Sequence, residues 1–224
     1  MRGYANVLTV LAVLSLSLEG CVSTRTASVA DGSASAMHGK SLIVSRREKP
    51  DFGAMTAGKM MFGVLGATAI ISAGNKIVAD NQIEDPAVDV GRQLSQALGE
   101  KYGLTATASA GPLADTADTN KLANIYAGSD FVLDVQTVNW SFVYRPNLTH
   151  YRVLYSVKIR LIDTRQAKLL AEAFCYRKDD DDKSPPTHDE LLADHAALLK
   201  ERLHDHASEC IGELERKILS APVT

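Results

Sequence analysis

Long apolar runs are missing from this sequence. A helix that crosses a bilayer needs about twenty consecutive, mainly apolar residues. The two best candidates fall short, because residues 7–18 supply 12 residues and the uncharged stretch 60–75 supplies 16. We therefore expect no conventional transmembrane helix from either stretch. The first stretch instead has the length of the apolar core of a secretory signal.

Excess positive charge is also missing. The 24 Lys and Arg residues are outnumbered by 27 Asp and Glu residues, which gives a formal net charge of -3. Because the sequence has no basic stripe, no helix-turn-helix pattern and no RNA-binding signature, we expect no nucleic-acid partner.

Catalytic motifs are absent as well. The sequence contains no G-x-S-x-G elbow, no H-E-x-x-H, no P-loop and no dinucleotide-binding fingerprint. We therefore predict no enzyme, no catalytic residue and no cofactor. A hidden hydrolase stays open as an alternative, since Asp134 and Asp163 lie among predicted strands where two carboxylates could pair.

The most informative motif is a lipoprotein signal at the N-terminus. Arg2 and an apolar core precede Leu18-Glu19-Gly20-Cys21. A small residue directly before a cysteine is typical of lipoprotein signals, because the cysteine thiol receives the diacylglycerol. Glu19 departs from that pattern. We predict that residues 1–20 are removed and that Cys21 is lipidated, the alternative being an ordinary signal cut nearby.

The residues after Cys21 indicate where the protein is held. Acyl chains contribute about 0.8 kcal/mol per buried CH₂, so a multiply acylated cysteine is a stable membrane anchor. Val22 replaces the aspartate that commonly retains lipoproteins in the inner membrane, which favours the periplasmic face of the outer membrane. Residues 22–39 are rich in Ser, Thr, Ala and Gly. We interpret residues 21–39 as the lipidated cysteine and a flexible tether.

The other two cysteines, Cys175 and Cys210, are predicted to form a disulfide. An oxidising periplasm favours pairing. Two alternatives remain: a pair of buried free thiols, or a metal site that joins Cys210 to His206 four residues earlier. The remaining histidines that such a site could recruit are His188, His195 and His204. We predict no metal site, because one i, i+4 pair is weak evidence.

The pattern of residues 40–220 predicts one α+β domain. It has a mixed sheet with an antiparallel three-stranded meander, helices packed on one face and a long C-terminal helix. The predicted strands are 41–46, 104–110, 130–144, 150–163 and 168–176, and the predicted helices are 86–102, 120–127 and 187–219. A bulge near Gln136 or Thr137 is expected to bring both apolar sets of strand 130–144 onto one face. We expect Trp140 and the tyrosines to lie in the core. Thr119 is expected to cap the second helix. The acidic loop 178–186 is expected to be solvated.

A glycine-rich, apolar segment at 52–75 stands apart from this pattern. Glycine weakens a helix by nearly 1 kcal/mol per residue relative to alanine, so its abundance needs a reason. We interpret the segment as a buried or surface-docked helix with a glycine-rich entry. The alternative is a membrane-inserting or oligomerising element, because small residues recur at spacings used inside membranes. Its candidate contact residues are Gly63, Gly66, Ala67, Ile70 and Gly74.

Two stretches resemble a known family. Gly128-Ser129-Asp130-Phe131-Val132-Leu133 and Leu161-Ile162-Asp163-Thr164, followed by Lys168-Leu169-Leu170-Ala171, are similar to periplasmic lipoprotein domains. These domains are related to the curli-secretion channel lipoprotein and to the N-terminal domain of the Tol-system translocation protein. The similarity covers about residues 88–176, with Ser129 in place of an alanine and 165–167 in place of a glycine turn. It implies a noncatalytic envelope protein that docks onto other envelope components; the pore-forming hairpins have no counterpart.

These observations predict an outer-membrane lipoprotein that acts as an assembly, accessory or structural subunit. Its contact is expected to be the sheet edge or residues 60–74, and its partner an envelope protein or further copies of the chain. The first alternative is a tethered small-ligand-binding or enzymatic domain with a pocket around Trp140 and Tyr155. The second is an oligomeric membrane-inserting element through residues 60–74.

Overall fold

A computed structural model describes residues 26–30, 35–60, 63–107, 111–179 and 183–219. The strands in this part of the chain are β1 (Ser41–Val44), β2 (Gly53–Met55), β3 (Thr105–Thr107), β4 (Phe131–Tyr144), β5 (Tyr151–Asp163) and β6 (Lys168–Lys178). The helices are α1 (Ala57–Met60), α2 (Gly63–Asp80), α3 (Ala87–Tyr102), α4 (Thr119–Ile125) and α5 (His188–Leu219). The predicted α+β class, with a mixed sheet and a long C-terminal helix, is confirmed.

The strands form one mixed sheet in the order β3-β1-β4-β5-β6, and β2 also pairs with β4. β1 is parallel to both β3 and β4, whereas β4, β5 and β6 form the predicted antiparallel meander. The pairing of β4 with β5 shifts register between Thr137 and Asn139. Leu133 and Trp140, on either side of this bulge, therefore both reach the main core. The predicted bulge is confirmed.

Alternation along the strands divides the apolar side chains between two faces of the sheet. Leu133 and Ile159 lie in the main core together with buried side chains of α3 and α5. Val132 and Ile162 belong to a smaller cluster, which contains Leu122 of α4. α3 and α5 therefore share one face, as predicted. The prediction of a single helical face was wrong for α4, which covers the opposite face.

Aromatic side chains fill the core where a ligand pocket was one of the expectations. Trp140 is 1% exposed and Tyr155 is fully buried. The ring of Phe52 meets that of Trp140 edge-to-face, with the centroids 5.1 Å apart. The Trp140 Nε1–H also has a partner, donating to the carbonyl oxygens of Pro50 at 3.1 Å and Asp51 at 3.0 Å. The expected core role of Trp140 and Tyr155 is confirmed, whereas the same expectation was wrong for Tyr176, which is 42% exposed on β6.

A glycine ends α3, and capping side chains begin α4 and α5. α3 ends at Gly103, whose φ of 67° lies in the left-handed region that glycine adopts without strain. At the start of α5, Thr187 and Glu190 form a capping box. The Glu190 N–H donates to Thr187 Oγ1 at 3.3 Å, and the Thr187 N–H donates to Glu190 Oε2 at 2.8 Å. The expected cap of α4 was wrong, because Asp118 rather than Thr119 accepts the Lys121 N–H, at 2.8 Å.

The glycine-rich segment forms β2, α1 and α2 and docks on its own domain. Gly66, Ile70 and Gly74 are buried at intervals of four residues, which is one face of the helix, whereas Ala67 is exposed. The Gly74 backbone lies against Phe52, since an added Cβ would be 1.8 Å from the Phe52 carbonyl oxygen. Ile70 and Gly74 thus face this chain's own body rather than a partner. Among the described residues, no helix combines the length and the apolar character of a membrane span.

The predicted tether is docked wherever the structure describes it. Ala27 exchanges two backbone hydrogen bonds with Glu172 of β6, at 2.8 Å and 3.0 Å. Val29 and Met37 are buried in the main core. The expectation of a flexible tether was therefore wrong at these positions, because backbone pairing and two buried apolar side chains hold them to the domain. Cys21 and the signal 1–20 lie outside the described residues.

α5 contains a left-handed turn that its sequence did not predict. Asp194, His195 and Ala196 have φ values of 51°, 58° and 57°. Such conformations cost roughly 1–2 kcal/mol for each residue that is not glycine. The turn is flanked by buried side chains, Leu191 before it and Leu199 after it. The turn is therefore held by packing of the two helical stretches that it joins.

Candidate functional site

The edge strands β3 and β6 differ in how they are protected. At β6, Ala27 occupies the outward backbone groups of Glu172. Farther along, Lys217 Nζ donates to the Phe174 carbonyl oxygen at 2.8 Å, and Arg177 Nη1 donates to that of Tyr176 at 2.9 Å. Cationic side chains and covering segments are the usual means of preventing strand addition at an edge. The β6 edge is therefore closed.

The β3 edge is open in the part of the chain that the structure describes. All three residues of β3 are exposed, and no described strand pairs with their outer side. The Thr105 N–H donates inward, to the Lys40 carbonyl oxygen at 2.8 Å. Because successive residues of a strand direct their backbone groups to opposite sides, the N–H and C=O of Ala106 point outward. They present one donor and one acceptor to an incoming strand.

A cavity of about 470 Å³ lies beside this open edge; we call it the β3 cavity. It is bounded by the carboxyl ends of β1 and β3 and by the first turns of α3. Its apolar wall consists of Val44, Ala87, Val88, Ala106 and Val135. In sheets with parallel strands, ligands bind outside the carboxyl ends of the strands.

Two small or exposed side chains keep the β3 cavity open. Ala106 pairs with Leu42, which lies in the main core, so Ala106 points to the same face of the sheet as α3. Its methyl group leaves unfilled the space that a larger side chain would occupy. Val88, at the start of α3, is 70% exposed. Val88 therefore extends the apolar lining of the cavity to the protein surface.

Asp85 is the buried acidic group of the cavity lining. One carboxylate oxygen accepts from Thr137 Oγ1 at 2.5 Å and from the Ala87 N–H at 3.0 Å. Burial raises the pKa of Asp85, and these two hydrogen bonds oppose the increase. Burial likewise raises the pKa of Tyr155, whose hydroxyl lies 3.5 Å from Thr137 Oγ1. This chain of hydrogen bonds attaches the start of α3 to β4 and β5.

Two arginines give the β3 cavity a positive rim. Arg46 is exposed, and the Arg92 side chain is 65% exposed. Arg92 Nε donates to Asp89 Oδ1, three residues earlier, at 3.1 Å. Arginine side chains in this setting bind carboxylates through charge-assisted hydrogen bonds.

The third arginine of the lining, Arg47, is bound to the buried carboxylate of Asp134. Its Nε and Nη2 donate to the two carboxylate oxygens of Asp134, at 2.8 Å and 2.9 Å. Arg160 Nη2 and Ser45 Oγ also donate to Asp134, at 2.6 Å and 2.7 Å. Burial alone would raise the pKa of Asp134, but these hydrogen bonds and the two positive charges hold it below the usual value.

The Asp134 network ties the end of β1 to β4 and β5. The alternative of two paired carboxylates is not supported at Asp134, because its carboxylate pairs with Arg47 and Arg160. Asp163 lies at the end of β5 and accepts the Gln166 N–H at 2.9 Å. The arrangement that a carboxylate-pair hydrolase would need is not formed by these two residues.

Cys175 and Cys210 form the predicted disulfide, which joins β6 to α5. His206, the partner considered for a metal site, instead has its Nε2 3.0 Å from Asp179 Oδ1. Asp179 also accepts the Val153 N–H at 2.9 Å. Burial alone would raise the Asp179 pKa, but His206 and the Val153 N–H lower it.

The solvated loop predicted for residues 178–186 was therefore wrong at Asp179, which is 7% exposed. It belongs to the end of the sheet, where its carboxylate satisfies a backbone donor of β5. Residues 180–182 lie outside the described part of the chain.

The β3 cavity was not predicted from the sequence. Residues 104–110 predicted a short strand, of which Thr105–Thr107 is confirmed and 108–110 lie outside the described residues. A sequence feature that could have indicated this site is the small side chain of Ala106 in a strand that lacks the lysine and proline with which edge strands are commonly protected. The feature is informative only once the pairing of β3 shows that it is an edge strand.

No family model matches this sequence, and no curated protein matches it. Similar solved structures include a Xanthomonas campestris protein described as DUF330, with 11% identity, coverage of 77% of this chain and 82% of that chain, and a TM-score of 0.38. A lipoprotein from Neisseria meningitidis is 18% identical, with coverage of 78% and 99% and a TM-score of 0.30. A PelC dodecamer from Paraburkholderia phytofirmans is 12% identical, with coverage of 82% and 95% and a TM-score of 0.34. These distant likenesses assign no function, and the resemblance to curli-secretion and Tol domains stays a prediction.

Proposed function

We propose that this chain is an outer-membrane lipoprotein, anchored through Cys21 on the periplasmic face, that acts as a noncatalytic accessory or assembly subunit of an envelope complex. The observation that carries this proposal is the asymmetry of the sheet. Its β6 edge is closed by Ala27, Lys217 and Arg177, whereas β3 presents unpaired backbone groups beside an apolar cavity. A protein that protects one edge and leaves the other open has a surface suited to strand addition.

Two features support the proposed location on the periplasmic face of the outer membrane. The Leu18-Glu19-Gly20-Cys21 motif is the predicted lipidation site. The Cys175–Cys210 disulfide, with both cysteines at most 1% exposed, is of the kind that persists in an oxidising compartment such as the bacterial periplasm.

The outward face of α2 is a second contact surface for the same role. Ala67 and Ile71 are exposed there, and Ile71 is 41% exposed. This face adjoins the inward face of Gly66, Ile70 and Gly74 that docks on the domain. We propose it as an auxiliary contact with a partner or with the membrane surface.

Photocrosslinking in intact cells tests the proposal. A photoreactive amino acid is placed at Thr105 of the open edge in the full-length chain, because this side chain lies on the face of β3 opposite the cavity. Tyr176 of the closed edge is the matched control. We expect a crosslinked envelope protein from position 105 and none from position 176. Equal crosslinking from both edges, or none from position 105, contradicts the proposed docking edge.

Mass spectrometry of the mature chain tests the anchor independently. We expect a diacylglyceryl or triacyl mass increment on Cys21 and loss of membrane association in Cys21→Ala. A mature chain without lipid overturns the assigned location.

A further inference from the structure

Building on the proposed function, we propose that the partner contributes an extended peptide segment in which a large apolar side chain lies two residues from a carboxylate. The apolar side chain enters the β3 cavity, and the carboxylate binds Arg46 and Arg92. The segment adds to the sheet as a further strand beside β3.

Backbone geometry sets where that segment lies. The outward N–H and C=O of Ala106 hold the added strand at a spacing of about 4.8 Å from β3. Alternate side chains of the added strand then point to the face of the sheet that carries α3. Those side chains lie at the mouth of the β3 cavity, next to the exposed Val88.

A second copy of this chain does not satisfy the site. Pairing of β3 with itself would bring only Thr105, Ala106 and Thr107 to the edge. None of these is a large apolar residue, so a cavity of about 470 Å³ would stay unfilled. The alternative homotypic contact, β3 with β6, is blocked by Ala27, Lys217 and Arg177. The open edge therefore fits a segment of a different protein.

The charges of the rim select an acidic segment. The Arg47 guanidinium already donates two hydrogen bonds to Asp134, so we do not assign it to the rim. Asp89 offsets part of the charge of Arg92, whereas no described side chain pairs with Arg46. Residues i and i+2 of a strand share a face, so an apolar anchor in the cavity places a carboxylate at i+2 or i−2 beside these arginines.

The test uses a positional-scanning library of N-acetylated hexapeptides as the probe and the purified mature chain with its disulfide intact. We expect enrichment of Phe, Leu, Ile or Trp at one position and of Asp or Glu two positions away. No binder, no positional preference, or a preference for Lys and Arg overturns the inference.

Variants of neighbouring residues then locate the bound peptide. Ala106→Leu fills the cavity from the α3 face and is expected to weaken the selected peptide at least tenfold. Thr105→Leu, on the opposite face of the same strand, is the matched control and is expected to change affinity less than twofold. Replacement of both Arg46 and Arg92 by Gln is expected to remove the preference for an acidic residue but not the apolar one. Equal effects of Ala106→Leu and Thr105→Leu in variants with unchanged thermal unfolding contradict the assigned cavity.

Failure of this inference is distinct from failure of the proposed function. If position 105 crosslinks to an envelope protein but the library shows no preference for an apolar and an acidic residue, the docking edge stands and the partner chemistry is wrong. If the library shows that preference but position 105 crosslinks nothing in cells, the accessory role through this edge is wrong.

Discussion

Asp134 and Arg160 lie directly opposite one another on β4 and β5, with Arg160 Nη2 2.6 Å from Asp134 Oδ2. Their side chains are 2% and 8% exposed. Arg47 binds the same carboxylate from the segment after β1. One buried carboxylate thus pairs with two arginines, one on β5 and one after β1.

Asp134→Ala is expected to destabilise the domain strongly. Removing one partner of a buried ion pair leaves uncompensated charge and typically costs about 3–5 kcal/mol. Urea unfolding measures the change in the free energy of unfolding. The control is Asp163→Ala, at the end of β5, which is expected to cost less than about 1 kcal/mol. Similar losses for the two variants would mean that the Asp134 network is not a dominant stabilising contact.

Asp85→Asn is expected to stabilise the protein at pH 7. Because burial raises the pKa of Asp85 above its ordinary value of 3.8, the folded chain binds this proton more tightly than the unfolded chain. The stability that Asp85 contributes is therefore present below pH 3.8 and is lost as the pH rises through its folded pKa. Asparagine keeps acceptors for Thr137 and Ala87 without the charge.

Thermal unfolding from pH 3 to pH 7 measures this effect. The Tm advantage of Asp85→Asn over the parent is expected to grow with pH. Glu84→Gln, whose parent side chain is 84% exposed, is the matched control and is expected to show no such trend. An Asp85→Asn advantage that shrinks with rising pH would contradict the assigned direction of the pKa shift.

Gly74→Ala is expected to separate α2 from the start of β2. Its Cβ would meet the Phe52 carbonyl oxygen at 1.8 Å, and a backbone atom cannot move aside as a side chain can. Overpacking of this kind typically costs about 1–3 kcal/mol. Gly58→Ala is the control, because its Cβ would meet nothing within 4 Å. Chemical unfolding of both variants that showed equal stability would refute the close approach.

Loss of the Cys175–Cys210 disulfide is expected to destabilise the domain by roughly 3.5–4 kcal/mol in the chain-entropy account, because the bridge closes a loop with a sequence separation of 35. Unfolding of Cys175→Ser/Cys210→Ser is compared with the oxidised parent. Addition of a reductant should lower the Tm of the parent and leave that of the double variant unchanged. Free thiols at both Cys175 and Cys210 in the denatured but unreduced parent, measured by alkylation and mass spectrometry, would show that the disulfide is not formed.

Local patterns in the sequence determined much of the fold. The shared parity of Tyr151, Val153 and Tyr155 predicted β5, and Thr187 with Glu190 predicted the start of α5. These features depend on residues close together in the chain, where periodicity and capping chemistry act. The disulfide was predictable because only two cysteines remained once Cys21 was assigned to the lipid.

The tertiary structure alone decided which surfaces stay open. Ser45 and Asp134 are 89 residues apart in the chain and hydrogen-bond at 2.7 Å, and Ala27 closes an edge strand that begins 141 residues later. Composition predicted a tether at residues 22–39 and a solvated loop at Asp179. Val29 and Asp179 are nevertheless buried, because distant elements supply their partners: Ile218 of α5 for Val29 and Val153 of β5 for Asp179. An open edge and a cavity are properties of how elements meet, so the β3 site exists only once β1, β3 and α3 are assembled.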